Sequence, residues 1–97
     1  QRTKEGRKRI LVVDHVPESR EFLRMFLEAV GHSCKTAGSV FEAKSLMERV
    51  TFDILVYDLP LPDGLGRREP WARRYLPKPY ETRDILETIL ETPVMNR

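Results

Sequence analysis

The 97 residues are 40 % hydrophobic and 33 % charged, which suits one domain with a single modest core and is too little for two domains. The longest apolar run, Ile10 to Val13, is far shorter than the roughly 20 residues of a membrane-spanning helix, and the charged N-terminal segment lacks the apolar stretch of a signal peptide, so we expect a cytoplasmic protein. The net charge is +2, and the basic excess lies near the N-terminus and in residues 67–74. Acidic residues interrupt both stretches and neither has interleaved aromatic residues, which favours solvated segments over a nucleic-acid site.

The first two predicted elements are a strand and a helix. Ile10 to Val13 is a short apolar run that ends at Asp14, a pattern typical of a parallel strand buried on both faces. Pro17 opens the helix and Gly31 ends it. The apolar positions of this helix, spaced by three and four, are Phe22, Leu23, Phe26, Leu27 and Val30.

The second strand and helix follow directly. Residues 32–37 alternate in polarity, which indicates a strand near a sheet edge, and the lone Cys34 within it is expected to be a small buried residue without redox chemistry. Ser39 can cap the next helix. The predicted buried stripe of that helix is Phe41, Ala43, Leu46, Met47 and Val50.

The third strand, Phe52 to Tyr57, ends on Asp58 just as the first ended on an aspartate. A turn-rich loop follows, and then an arginine-rich stretch in which the pattern predicts neither helix nor strand. Tyr75 and Leu76 indicate a very short strand. A last helix begins at residue 81 or 82, with the apolar face Ile85, Leu86, Ile89 and Leu90.

Strands that alternate with helices over such short connections predict a parallel sheet, whose ligand site lies at the carboxyl ends of the strands. Asp14 and Asp58 follow two of those strand ends, and Lys78 lies near another. A carboxylate nucleophile with a hard cation and an ammonium group nearby is what phosphoryl transfer to aspartate requires. Aspartate after a strand is also a common helix cap or turn residue, so spacing alone leaves both interpretations open.

Three sequence blocks carry a family resemblance: Lys8-Arg9-Ile10-Leu11-Val12-Val13-Asp14, Phe52-Asp53-Ile54-Leu55-Val56-Tyr57-Asp58-Leu59-Pro60-Leu61-Pro62-Asp63-Gly64 and Tyr75-Leu76-Pro77-Lys78-Pro79-Tyr80. In this order they resemble the receiver domains of bacterial response regulators, over most of residues 8–92. The resemblance implies a flavodoxin-like, doubly wound parallel sheet. It also implies that Asp58 accepts phosphate from a histidine kinase, that Asp14 and Asp58 help to hold Mg²⁺, that Lys78 contacts the phosphate, and that Tyr75 is the switch aromatic.

The chain departs from the family in two places. His15 stands where the family has a second acidic residue, and imidazole is a poor Mg²⁺ ligand, so we expect the magnesium site to be weakened or absent. Lys78 follows Asp58 by only 20 residues, an interval in which the family places two helices and a fourth strand ending in Ser or Thr. We therefore predict a sheet truncated to four strands, with the Tyr75 strand beside the third one, or a dimer that shares the C-terminal segment through an exposed sheet edge. Trp71 is expected to pack over the opening.

Two functions follow from these features. The first is a two-component receiver, phosphorylated by a histidine kinase or phosphotransfer protein and signalling to an output protein or domain. The alternative is a pseudo-receiver that is not phosphorylated and serves as a protein-interaction or dimerisation module. The domain is expected to span residues 10–92, between a basic tail or linker at 1–9 and a tail at 93–97. An autonomous enzyme is not expected, because no catalytic triad, glycine-rich phosphate loop or spaced acid and base pair is present.

Overall fold

The structure, a computed structural model, describes residues 7–57, 72–77 and 81–92. Its sheet contains β1 (Arg9–Val13), β2 (Ser33–Ala37), β3 (Phe52–Tyr57) and β4 (Ala72–Pro77) in the order β2-β1-β3-β4. All three neighbouring pairs are parallel. The predicted truncated, four-stranded parallel sheet is therefore confirmed.

The fourth strand is longer than the sequence pattern predicts. Arg73 and Arg74 were expected to lie outside helices and strands, and that expectation was wrong, because both lie in β4. The strand pairs with β3 from the Phe52–Ala72 pair to the Tyr57–Pro77 pair. Backbone hydrogen bonds to a neighbouring strand extend β4 into residues that have no apolar period of their own. Trp71, predicted to cover an opening, lies outside the described residues.

The helices of the described residues are α1 (Pro17–Ala29), α2 (Val40–Met47) and α3 (Thr82–Glu91). Proline occupies the first turn of α1, and Gly31 follows that helix with φ at 101°, a conformation that glycine adopts without steric cost. The Ser39 side chain caps α2 by accepting a hydrogen bond from the Glu42 backbone N–H at 3.2 Å. None of these helices is long and apolar enough to span a membrane.

Helices lie on both faces of the sheet, which confirms the doubly wound architecture. On one face, which we call the first face, α1 and α3 pack on β1 and β3. Its buried residues are Ile10, Val12, Leu23, Leu27, Cys34, Ile54, Val56, Ile85 and Ile89. On the second face, α2 contributes Ala43 and Met47 to a cluster. The other buried members of that cluster are Leu11, Val13, Ala37, Phe52, Leu55 and Tyr57.

Four side chains predicted to face the core are exposed instead, and the prediction was wrong for each: Phe22, Phe41, Leu86 and Leu90. Each helix buries one i, i+4 pair, and successive residues turn by about 100° around the axis, so the neighbouring apolar residue points away from the sheet. Phe22 instead stacks on Phe26, with 6.2 Å between the ring centroids. The core stripes are narrower than apolar periodicity alone suggests.

Candidate functional site

The carboxyl ends of the four strands lie in register. Val13, the last residue of β1, pairs with Ala37 of β2 and with Tyr57 of β3. Tyr57 in turn pairs with Pro77, the last residue of β4. One row of paired residues therefore crosses the sheet at the edge where parallel sheets bind their ligands.

The predicted site residues continue the chain from this row. Asp14 directly follows β1 and is described by the structure, whereas Asp58 and Lys78, which follow β3 and β4 in the sequence, lie outside the described residues. Tyr75, the predicted switch aromatic, pairs with Leu55 through its backbone in β4. The roles assigned to these four residues remain predictions.

Asp14 is fully buried and tightly held. Its Oδ1 accepts a hydrogen bond from the Val16 backbone N–H at 2.8 Å, and its Oδ2 accepts one from the Ser19 hydroxyl at 2.7 Å. Its backbone N–H donates to the Ala37 carbonyl oxygen at 3.0 Å. These bonds fix the carboxylate against the start of α1, since a buried charge is stable only where polar partners replace water.

Arg20 approaches the same residue from the first turns of α1. Its Nη1 donates a hydrogen bond to the Asp14 carbonyl oxygen at 2.7 Å. The guanidinium also lies against Gly38, in the turn between β2 and α2. A permanently charged group is thus held at the carboxyl edge of the sheet.

The described part of this edge suits Mg²⁺ poorly. Mg²⁺ prefers hard oxygen ligands in a strict octahedron. Asp14 is enclosed, with both carboxylate oxygens already accepting hydrogen bonds, and the neighbouring His15 is exposed and offers nitrogen. Residues 7–57, 72–77 and 81–92 contain no group of three or more acidic, histidine or cysteine side chains arranged to hold a metal.

Two of the polar residues that organise this edge were not predicted as site residues from the sequence. Ser19 and Arg20 belong to the segment that opens α1, and both bond to Asp14. A signal was present, because an aspartate after a strand often bonds to the first turn of the next helix.

Other buried polar residues serve the opposite edge of the sheet. Asp53 accepts a hydrogen bond from the Arg9 backbone N–H at 2.7 Å, and His32 Nδ1 accepts one from the Lys8 backbone N–H at 3.1 Å. Both bonds fix the backbone at the beginning of β1. These residues therefore organise the amino end of the sheet, away from the predicted site.

Comparisons with known sequences give two relatives, while no family profile matches the chain. The response regulator protein PilR of Pseudomonas aeruginosa is 38 % identical over 61 residues, which are 63 % of this chain and 14 % of PilR. An uncharacterised 14.6 kDa protein of Leptolyngbya boryana is 41 % identical over 69 residues, 71 % of this chain and 53 % of that protein. The chain thus spans only part of each relative.

Solved structures of similar fold cover nearly the whole chain. A CheY-like response regulator receiver domain from Methanospirillum hungatei has a TM-score of 0.67 and 25 % identity, over 88 % of this chain and 92 % of that one. The response regulator TrrA of Thermotoga maritima, solved with Mg²⁺ and beryllofluoride, has a TM-score of 0.64 and 22 % identity, over 87 % and 97 %. The beryllofluoride-activated NtrC4 receiver domain dimer has a TM-score of 0.61 and 24 % identity, over 84 % and 93 %.

Proposed function

Because this chain belongs to the receiver-domain family of response regulators, we propose that it accepts a phosphoryl group on Asp58 from a histidine kinase or phosphotransfer protein and signals through protein contacts. The observation that supports this function best is the row of paired residues at the carboxyl edge. In that row Val13, Tyr57 and Pro77 lie side by side. The next residues in the chain are an aspartate, an aspartate and a lysine.

The proposed chemistry is a single phosphoryl transfer. A carboxylate oxygen of Asp58 attacks phosphorus, and the bond from phosphorus to the donor breaks, with its electron pair leaving on the donor atom. The donor atom is nitrogen in a phosphohistidine and oxygen in acetyl phosphate. The Lys78 ammonium neutralises charge on the phosphoryl oxygens. In this proposal the chain is a phosphoryl acceptor and not an autonomous enzyme.

Mg²⁺ has a smaller part in this proposal than the resemblance implies. When bound, the ion would neutralise charge on the phosphoryl oxygens, and TrrA, a structural neighbour, was solved in complex with Mg²⁺ and BeF. Asp14 and Asp58 are the residues that would hold it, but Asp14 is enclosed and His15 replaces the second acid. We therefore assign no step of the transfer to the metal and expect weak dependence of phosphorylation on Mg²⁺.

The test is the intact mass of the folded protein after incubation with acetyl phosphate, in Mg²⁺, in Mn²⁺ and in EDTA. We expect a gain of one phosphoryl group that is lost in Asp58→Asn. Asp63→Asn is the matched control, because Asp63 lies in the same segment and outside the family's phosphorylation position. No gain under any of the three conditions, with circular dichroism showing a folded protein, would refute phosphorylation.

A second candidate function is a pseudo-receiver that binds partners without phosphorylation. The enclosed Asp14 and the exposed His15 favour it, because both reduce the capacity of the site for a divalent cation. The edge strands β2 and β4 also leave one side unpaired within the described sheet, and such edges can pair with a second chain. The NtrC4 receiver, a structural neighbour, was solved as a dimer.

Light scattering distinguishes the dimeric form of this candidate. A solution mass of twice the single chain, unchanged by acetyl phosphate, would support a constitutive dimerisation module. A mass equal to the single chain over the accessible concentration range would exclude the dimer. A mass that doubles only after phosphorylation would instead support the first function.

A further inference from the structure

Arg20 connects three parts of the carboxyl edge. It lies in the first turns of α1, where its backbone N–H donates to the Val16 carbonyl oxygen at 3.1 Å. Its side chain runs back toward the sheet and donates from Nη1 to the Asp14 carbonyl oxygen at 2.7 Å. The same guanidinium contacts the turn that joins β2 to α2. One side chain therefore links a helix, the loop after β1 and the turn after β2.

Gly38 makes room for this guanidinium. A Cβ atom built on Gly38 would lie 2.5 Å from Arg20 Nη1, closer than real Cβ atoms approach other atoms, and 3.1 Å from Cζ, tighter than most real Cβ contacts. The backbone gives no other reason for glycine here, since Gly31 is the glycine with positive φ among the described residues. A side chain at position 38 would therefore displace the Arg20 guanidinium from the place it occupies.

A hydrogen bond to α2 holds the turn between β2 and α2 in place. The Gly38 backbone N–H donates to Glu42 Oε1 at 2.7 Å, and Glu42 lies in the first turn of α2. The turn cannot retreat without breaking this bond. The flexible end of Arg20 is the part that would move if position 38 gained a methyl group, and moving it breaks the bond to Asp14.

Arg20 also completes the hydrogen bonding of Asp14. The Asp14 N–H is bonded to β2 and its carboxylate to the start of α1, so the carbonyl oxygen is the remaining polar atom, and Arg20 donates to it. A guanidinium is always protonated, so this hydrogen bond is charge-assisted. All four polar atoms of Asp14 are then fixed.

We propose that Arg20 is a positioning residue that, given room by Gly38, locks Asp14 and the loop after β1 into place at the carboxyl edge. The lock is a property of the fold and does not depend on the phosphorylation proposed above. Its consequence for the site does rest on that function: Arg20 sets the rate at which the edge accepts a phosphoryl group and leaves donor binding unchanged.

Amide hydrogen exchange tests the lock in the whole chain. We expect Arg20→Ala and Gly38→Ala each to accelerate exchange at the Asp14 and Val16 amides on the order of tenfold, as loss of a charge-assisted hydrogen bond does. Exchange at Leu55, in the central strand β3, should stay at the wild-type rate. The double variant should match the single variants, because both changes remove the same contact.

Arg24→Ala is the matched control, since Arg24 lies one turn later on α1 and bonds instead to Glu21 and Glu28 on the helix surface. It should leave the Asp14 and Val16 amides unchanged. Effects of Arg20→Ala and Gly38→Ala that add in the double variant would overturn the proposal. Equal acceleration at Leu55 would overturn it as well, because that result indicates general destabilisation.

The rate of phosphorylation by acetyl phosphate tests the consequence. Arg20→Ala should lower the rate at saturating donor about tenfold, matching the loosened loop, and leave the half-saturating donor concentration unchanged. A wild-type rate in a variant whose loop exchanges faster would overturn the effect on the site. If the wild type gains no phosphoryl group, the proposed function fails, and the exchange measurements still decide whether Arg20 forms the lock.

Discussion

The two faces of the sheet are built differently. On the first face α1, with 13 residues, and α3, with 10, cover the central strands. On the second face, the described residues provide only α2, with eight. Leu27 of the first face and Leu55 of the second are nevertheless equally inaccessible to solvent. We therefore expect the cost of truncating a core residue to follow the burial of its own side chain and not the number of helices above it.

The largest expected effect tests this equality directly. Leu27→Ala and Leu55→Ala should each lower the free energy of unfolding by about 3 kcal/mol, because both delete the same buried methyl groups and leave a cavity. Urea unfolding, monitored by circular dichroism, measures both changes in the free energy of unfolding. Leu86→Ala, at a 39 % exposed position, is the control and should cost under about 1 kcal/mol. A cost for Leu55→Ala as small as that of the control would show that the second face is loosely packed.

The next expected effect is a pH dependence of stability that arises on the first face. Cys34 lies in the core of the first face, where burial, together with the Glu28 carboxylate, raises the pKa of its thiol from 9.0 to about 12. Above pH 9 the unfolded chain loses this proton while the folded chain keeps it, so stability should fall as the pH rises from 9 toward 12. Below pH 9 both the folded and the unfolded chain keep the thiol proton, so this loss of stability does not occur.

Urea unfolding of the wild type and Cys34→Ala between pH 8 and pH 10.5 isolates this contribution from other titrating groups. The difference in free energy of unfolding between the two proteins should be constant up to about pH 9. Above that pH the wild type should steadily lose stability relative to Cys34→Ala. A difference that does not change with pH would contradict the raised pKa.

A smaller effect concerns how the helices of the two faces begin. The Ser39 hydroxyl caps α2, whereas Val16, which precedes α1, offers no side-chain cap. Ser39→Ala should therefore cost about 1 kcal/mol. Ser45→Ala, within the same helix, is the control and should be nearly neutral, because alanine favours the helix interior. Equal costs for the two variants, measured by thermal unfolding, would argue against the cap.

The smallest expected effect lies on the outer surfaces. Phe41 on α2 is 83 % exposed, and Phe22 on α1 is 57 % exposed. Replacing Phe41 with serine should change the free energy of unfolding by no more than about 0.5 kcal/mol. Phe22→Ser should be the costlier of the two, because it also removes the stacking on Phe26. A large cost for Phe41→Ser would show that α2 is covered by another part of the protein or by a second chain.

The sequence by itself determined the order of strands and helices, the parallel sheet and the edge at which the predicted site lies. These features have local causes. An apolar run such as Ile10 to Val13, a cap such as Ser39 and a stop such as Gly31 each act through neighbouring residues. The resemblance to receiver domains also depends on short motifs, so the sequence was sufficient to recognise it.

Only the tertiary structure decided the rest, because the interactions involved join residues far apart in the chain. The length of β4 comes from its pairing with β3, and no local pattern marks Arg73 and Arg74 as a strand. The orientation of each helix against the sheet decided that Phe22 and Phe41 face away from the core. The contact of Arg20 with Gly38 needs α1 and the turn after β2 to meet in space, which no pattern within either segment determines.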